Sequence, residues 1–311
     1  MKEESKKITL GLGNVSWDKT LGAYYIDMRP AMIHYTKNIY DGKFDEQGVP
    51  MVGVNGRYEY FPVNICQYGF MLHADWLENH DENTLKKLFA CLERLEMLKY
   101  ETKQWAVWYS NFDDKKYNIK APWPSAMAQG EVISLYLRIY QITQNSSLLE
   151  TAWKAYKFMN VDVKDGGVKR MDNDGHLWYE EFPSEPPSYV LNGFIYSLFG
   201  LFDLYRVTGN SMVKKDIDAC LETLKRNLYR FDAGYWSYYD MQKKELVRYY
   251  YQKNVHVPQL KILYLLTQEK IFKRYYQKWE KNITLINYLF VQLMYRINPR
   301  IRNLKKWLWK N

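Results

Sequence analysis

The chain of 311 residues carries 44 Lys and Arg against 35 Asp and Glu, a net charge of +9, with 47% apolar and 25% charged residues. That balance excludes a disordered chain, and no apolar run reaches the roughly 18 residues of a membrane-spanning helix. The length allows one large helical domain or two ordinary ones.

In chain order, Met1 to Lys7 is charged and Ile8-Thr-Leu-Gly-Leu is too short for a secretory leader, so a cytoplasmic location is expected. Residues 1–62 read as extended and turn-rich. Tyr24-Tyr-Ile-Asp-Met is strand-like before Pro30, and Asn55-Gly56 signals a hairpin. A short helix is expected through Ile65–Glu78, and the stripe Leu85, Leu88, Phe89, Leu92, Leu95 and Leu98 predicts a second at 83–98. Similar stripes follow at 125–144, 147–159, 188–208, 212–229 and 256–278. Short links such as Asn145-Ser-Ser and Val207-Thr-Gly-Asn predict stacked helical hairpins, as a bundle or an α/α toroid. The aromatic, acidic, Pro-rich loop at 166–187 is where a toroid would carry a site. The expected fold is mainly α: an incomplete α/α toroid over 63–280. A small N-terminal β or irregular segment at 1–62 packs on it, and a basic tail follows at 281–311.

The tail carries a stripe of Ile283, Ile286, Leu289, Phe290, Leu293 and Ile297, then Arg300, Arg302, Lys305 and Lys306 beside Trp307 and Trp309. Such a segment either lies in a membrane interface, on the inner face of a plasma membrane, or closes the domain as a final helix. From Arg248 to Asn311 there are 14 Lys and Arg against Glu269 and Glu280, a local +12 that leaves −3 for the rest of the chain. Nucleic acid, an anionic polysaccharide or an anionic membrane would each suit that end. Cys66, Cys91 and Cys220 sit in apolar contexts without metal spacing and read as buried thiols in a reducing compartment. The 29 Tyr, 13 Phe and 11 Trp suit either an aromatic core or a cleft that stacks on sugar rings.

Four stretches carry more specific information. They are Tyr60-Phe-Pro-Val-Asn-Ile-Cys-Gln-Tyr-Gly69, Trp123-Pro-Ser-Ala-Met-Ala-Gln-Gly130, and His176-Leu-Trp-Tyr-Glu-Glu-Phe-Pro183 with the Ser188–Leu204 run behind it. The fourth is Tyr239-Asp240 with a later His256-Val-Pro-Gln-Leu260. Together, over roughly residues 24–280, they resemble the C-terminal domain of the heparosan glucuronyl C5-epimerases. The resemblance implies an α/α barrel that inverts C5 of glucuronate within a polymer, giving iduronate, without a redox cofactor. It implies an anionic uronate polysaccharide as partner in place of nucleic acid, and leaves a homodimer open. Three departures stand out. Phe182 occupies the place of a family catalytic tyrosine, and Pro124 replaces the Tyr after Trp. The family's Tyr-His pair ahead of the histidine maps to Gln252 by strict spacing and to Tyr251 by a one-residue shift. A polysaccharide lyase and a non-catalytic glycan-binding protein are the competing readings.

Inverting C5 means removing a proton next to a carboxylate, so two acid/base groups and a cationic clamp are required. The resemblance assigns the proton work to Tyr239, Glu181, Tyr251 and Tyr179. Substrate contacts are expected from Trp178, Glu180, His256, Asn192, Gln129 and Tyr68, with Arg170 or Arg248 as the clamp. Glu180 and Glu181 are adjacent, so in an extended loop one faces the cleft while the other caps a helix or pairs with Arg170. The plainer readings are solvated loop carboxylates, a packed aromatic hairpin around Tyr239, a hydrogen-bonded structural His256 and a core Asn192. The histidines show no metal-ligand spacing, so no metal is expected. Ser125 is not in a nucleophile elbow and reads as a helix cap.

Overall fold

In the computed structural model, which describes residues 8–36 and 42–295, the N-terminal segment is built from short antiparallel pairs. Strand β1 (Gly11–Leu12) pairs with β2 (Ile26–Asp27) ahead of a one-turn helix α1 (Ile33–Thr36). A three-stranded sheet follows, β3 (Gly42–Phe44), β4 (Pro50–Val54) and β5 (Arg57–Glu59). The β4–β5 turn is the Asn55-Gly56 predicted, both residues at positive φ.

Two helices then run antiparallel, α2 (Pro62–Asn79) and α3 (Glu82–Leu98). They lead into a small sheet, β6 (Lys99–Glu101), β7 (Ala106–Ser110) and β8 (Trp123–Pro124). This sheet inside the helical region was not foreseen. A second pair is α4 (Ala126–Thr143) with α5 (Ser146–Met159). The hairpin β9 (Lys169–Met171) and β10 (Leu177–Tyr179) precedes the third pair, α6 (Leu191–Thr208) and α7 (Ser211–Asn227). A turn of helix, α8 (Tyr249–Tyr251), passes through a π-helical turn at Gln252–His256 into α9 (Val257–Thr267), paired with α10 (Lys270–Lys281). A last helix, α11, spans 285–295.

The stripe at 256–278 is therefore two helices, a correction. The break is Gln268 at φ 59°, a left-handed cap with no Gly or Pro to announce it. The same joint recurs in all four hairpins. His80, Gln144, Gly209 and Gln268 end the first helix in the left-handed region, and Asp81, Asn145, Asn210 and Glu269 start the next. Three of these N-caps accept a hydrogen bond from the first turn: Asp81 from Thr84, Asn145 from Ser147, and Asn210 from Met212 and Val213.

The first helix of each pair is the inner one. Every residue of Ala126–Ile139 on α4 and of Leu191–Leu204 on α6 is buried, as expected of helices that are apolar nearly all round. Outer helices bury one stripe, such as Leu88, Cys91 and Leu95 on α3 or Phe272, Tyr275 and Trp279 on α10. Glycines let α4 and α6 touch backbone to backbone: a Cβ on Gly130 would lie 2.5 Å from the Ser197 Cα. Among the described residues the result is an incomplete α/α toroid of four hairpins, whose open side the N-terminal segment straps. Leu10 N–H donates to Asn254 (2.9 Å), Trp17 Nε1 to the Leu266 carbonyl (2.8 Å), and the Tyr24 ring stacks on Phe70 of α2 at 3.8 Å. Beneath it, Arg138 of α4 and Arg206 of α6 both pair with Asp203, which also accepts from the Tyr25 hydroxyl. The three cysteines are buried and free, and burial raises their thiol pKa values. No helix of the described residues is long and apolar enough to cross a membrane. The Ile297, Arg300, Arg302, Lys305, Lys306, Trp307 and Trp309 positions lie outside the described residues.

Candidate active site

Three loops and two helices meet around a cleft of about 270 Å³, near the lower end of the roughly 300–1,000 Å³ usual for ligand sites. The loop after β7 supplies Lys116 and Tyr117, closed on itself by the Asp114–Ile119 bridge. The link from β10 to α6 supplies Phe182, and the segment between α7 and α8 supplies Tyr239 and Glu245–Arg248. Tyr251 and Tyr295 complete the wall. Backbone pairing of Val190 with Asp240 ties the last two loops together, and that of Tyr238 with Leu246 closes the second on itself.

At the inner wall the Tyr239 hydroxyl donates to Glu181 Oε1 at 3.2 Å. Glu181 is 8% exposed and sits behind Tyr239, off the cleft surface, with its second oxygen lacking a hydrogen bond. Burial pushes its pKa up to about 8, against the pull of the Tyr239 hydrogen bond and of Lys116. The Tyr239 phenol is held well above its ordinary value by burial and by the Glu181 charge, so it is a neutral donor at rest. Gly193, in the first turn of α6, makes room: a Cβ there would stand 2.1 Å from Glu181 Oε2.

The Lys116 ammonium lies 4.3 Å above the Tyr239 ring centroid, 3.3 Å from Asp240 and 3.2 Å from Glu245. Asp240 is fully buried and also accepts from the Tyr117 hydroxyl at 2.9 Å. The Tyr117 ring packs on Phe182 (4.7 Å), which in turn packs on Trp123 (5.3 Å). Arg248 is exposed on the cleft rim and pairs with no carboxylate among the described residues. The Tyr251 ring stands edge-on to Tyr239, centroids 6.0 Å apart, and burial raises its phenol pKa.

Of the two positions that the spacing left open ahead of His256, Tyr251 lines the cleft and Gln252 does not. The π-helical turn at Gln252–His256 holds one residue more than an α turn would. Gln252 is buried, accepting from both N–H and hydroxyl of Ser237. The one Ser237 hydroxyl proton goes to Gln252, so the 2.8 Å contact to His256 makes that imidazole the donor through Nδ1. His256 is fully buried, and burial lowers its pKa to about 3. It braces the π-helical turn and does not reach the cleft, which corrects the substrate-contact expectation.

Of the predicted residues, the fold gathers Tyr239, Glu181, Tyr251 and Arg248, and it disperses the others. Tyr179 points outward to α7, its hydroxyl 3.4 Å from Asp216 alongside that of Tyr156, so its catalytic assignment is corrected. Trp178 is buried among Tyr189, Phe194 and Phe231 with its Nε1 on Asp172. Glu180 is the member of the pair that turns into its own loop, away from the cleft. It accepts from Ser188 (2.8 Å) and from Tyr189 N–H (3.0 Å), lies 3.2 Å from Arg170, and burial pushes its pKa up to about 7. Arg170 also binds Glu185 and the Ser184 carbonyl, so it clamps the loop and not a substrate. Gln129 bridges β7 and α5, donating to the Ala106 and Ala155 carbonyls and accepting from Trp108 N–H. Asn192 is buried beside Gly193, and Tyr68 packs between Tyr35 and Phe44. Ser125 caps α4, as expected. None of Trp178, Glu180, Arg170, Gln129, Asn192 and Tyr68 lines the cleft.

Sequence reasoning passed over Lys116, Tyr117 and Glu245. Only the run Asp113-Asp-Lys-Lys-Tyr, an isolated charged stretch before Pro122, hinted at the first two. Among the described residues, Asp172, Asp174 and His176 are one grouping with ligand atoms within 4.8 Å. The Asp172 oxygens, however, already close the β9–β10 turn, accepting from the Asp174 and His176 N–H groups and from Trp178.

The chain is 29% identical over 241 residues to an uncharacterized protein of Methanocaldococcus jannaschii, covering 72% of this chain and 78% of that one. It is 32% identical over 184 residues to the D-glucuronyl C5-epimerase of Caenorhabditis elegans, covering 53% of this chain but only 30% of that protein. Among solved structures, the cellobiose 2-epimerase of Spirochaeta thermophila superposes with a TM-score of 0.52 at 12% identity, over 81% of this chain and 66% of that one. A D-mannose isomerase does so with a TM-score of 0.51 at 11% identity, over 82% and 68%. These two likenesses establish the shared toroid fold. Residues 100–281, more than half of the chain and all of the cleft except Tyr295, match the family described as D-glucuronyl C5-epimerase C-terminus, and the chain belongs to that family.

Proposed function

We propose that the chain inverts C5 of D-glucuronate residues within a polysaccharide by proton removal and return. The observation that carries this reading is the Tyr239–Glu181 hydrogen bond at the wall of a cleft that also holds Tyr251, Lys116 and Arg248. A proton next to a carboxylate is only weakly acidic, and it becomes removable when cations neutralise the charge that develops on the carboxylate oxygens. Lys116 and Arg248, which both line the cleft, would supply that charge. Tyr239 takes the C5 proton while passing its own hydroxyl proton to Glu181, whose pKa of about 8 suits a base working near neutrality. Tyr251 gives its phenol proton to C5 from the other side. Glu181 is left protonated and Tyr251 as phenolate, and exchange with water resets both. Glu181 acts through Tyr239 and is a positioning and relay residue. Phe182 takes no part in proton transfer and supports the wall through Tyr117.

The test is incubation of the chain with a heparosan-type polymer in D₂O, followed by NMR and ultraviolet absorbance. Deuterium at C5 together with iduronate signals is the expected result. An unsaturated uronate chromophore would assign the chain to lyase chemistry. Absence of exchange on any uronate polymer, with binding retained, would overturn the catalytic reading.

A further inference from the structure

The outer face of α11 (285–295) is apolar where a surface helix is ordinarily polar. Leu285 is 72% exposed, Ile286 79%, Leu289 57%, Phe290 43% and Leu293 50%. Their spacing of one, three or four residues places them along one side of the helix. The other side is well seated. Val291 is buried with Trp236 and Val247, Tyr288 meets the Tyr249 ring at 5.1 Å, and the Tyr295 hydroxyl donates to the Leu246 carbonyl. The helix is thus anchored on the cleft loops, with Leu285, Ile286, Leu289 and Leu293 turned out to solvent and Phe290 half-exposed beside the Tyr235 ring.

On the neighbouring α10, exposed cations outnumber the one exposed carboxylate, Glu280. Lys281 is exposed at the end of α10, and Lys270, Lys273 and Arg274 are exposed along that helix. The sequence beyond 295 adds Arg296, Arg300, Arg302, Lys305, Lys306 and Lys310 with no Asp or Glu, and two tryptophans at 307 and 309. An apolar helix face flanked by Lys and Arg matches the layers of an anionic bilayer surface, acyl chains below and phosphate headgroups above. A soluble anionic polysaccharide matches the cations but leaves these apolar side chains in water.

We propose that the outer face of α11 docks the protein on an anionic lipid bilayer. Tyr295 on the inner side of the same helix lines the cleft, so docking holds the cleft within about one helix diameter, ~10 Å, of the lipid. A polymer growing at a membrane would be presented to the site there.

The experiment is co-sedimentation of the full chain with vesicles of phosphatidylcholine alone and of phosphatidylcholine with phosphatidylglycerol. Binding to the mixed vesicles at low salt is expected, at least ten-fold weaker on phosphatidylcholine alone and weakened by raised salt. The double variant Ile286→Glu, Leu289→Glu should lower binding at least ten-fold while circular dichroism and melting stay unchanged, since both side chains are more than half exposed. No binding to anionic vesicles, or binding indifferent to the double variant, overturns the proposal. So does light scattering that shows a dimer made monomeric by the same variant without vesicle binding, which would assign the face to a second copy of the chain.

Discussion

At the scale of single residues, the cleft separates side chains that the sequence presents as equals. Glu180 and Glu181 are neighbours, yet one holds Ser188 and Tyr189 in place while the other accepts the hydrogen bond of the Tyr239 hydroxyl at the cleft wall. Removing either partner of the Tyr239–Glu181 pair should therefore affect catalysis more than stability. Tyr239→Phe is expected to lower C5 exchange by roughly 10²–10⁴, the usual worth of a positioned acid or base. Glu181→Gln should lower it comparably and also abolish the pH dependence. In the unaltered protein Glu181 must be ionised to receive the proton, so exchange should rise with pH through about 8. A rate profile measured from pH 6 to 9 checks this, and a profile already flat at pH 6 would remove Glu181 from the relay. For Lys116→Met, a higher KM with a lower kcat is expected if the ammonium neutralises the substrate carboxylate. Unchanged kinetics would leave it as a brace for Asp240 and Glu245.

At the scale of elements, two local irregularities shape the cleft. The π-helical turn re-aims α8 so that Tyr251 reaches the cleft while Gln252, Ser237 and His256 lock the extra residue in place. The motif spacing left Tyr251 and Gln252 open, and only the tertiary structure puts Tyr251 at the cleft. The second irregularity is the close approach of α6 to Glu181 at Gly193. Gly193→Ala puts a methyl where Glu181 Oε2 now sits, 2.1 Å away, so the carboxylate must leave Tyr239. The expected outcome is a loss of exchange as large as that of Glu181→Gln, with destabilisation of about 1–3 kcal/mol from overpacking. Urea unfolding with the exchange assay checks both, and near-native activity would show that the carboxylate is not held by this contact.

At the scale of the molecule, buried titratable groups set opposing limits on stability. His73 and His256 are kept neutral by burial, with pKa values pushed down to about 3 from an ordinary 6.5. Between those values the unfolded chain binds more protons, so their contribution to stability is present above pH 6.5 and is lost as pH falls towards 3. Glu180 and Glu181 act in the other direction, with pKa values raised to about 7 and about 8 from 4.5. Their contribution is present below pH 4.5 and is lost as pH rises through 7 and 8, and buried Glu131 adds to the same side. Each group contributes a slope on the order of 1 kcal/mol per pH unit inside its window. Stability measured by urea unfolding should therefore peak between about pH 4.5 and 6.5, below the pH at which the proposed relay would work best. His73→Phe should flatten the acid side and Glu180→Gln the alkaline side. A monotonic profile would show that these groups are not buried as described.

What the sequence determined by itself was periodicity and identity. The 3.6-residue stripes located the helices of the toroid, because a helix must bury one face wherever it packs, and the motifs at 123–130, 176–204, 239–240 and 256–260 pointed to the family. The break at Gln268 escaped because a left-handed Gln has no distinctive composition. The tertiary structure alone decided which aromatic and acidic residues share a cleft. Lys116 lies more than 120 residues before Tyr239, and it is brought over that ring by a loop with no hydrophobic pattern. Trp178, Tyr179 and Tyr239 look alike as neighbours of acidic residues. Whether each is core or site depends on the direction its strand or loop is held by partners far away in the chain.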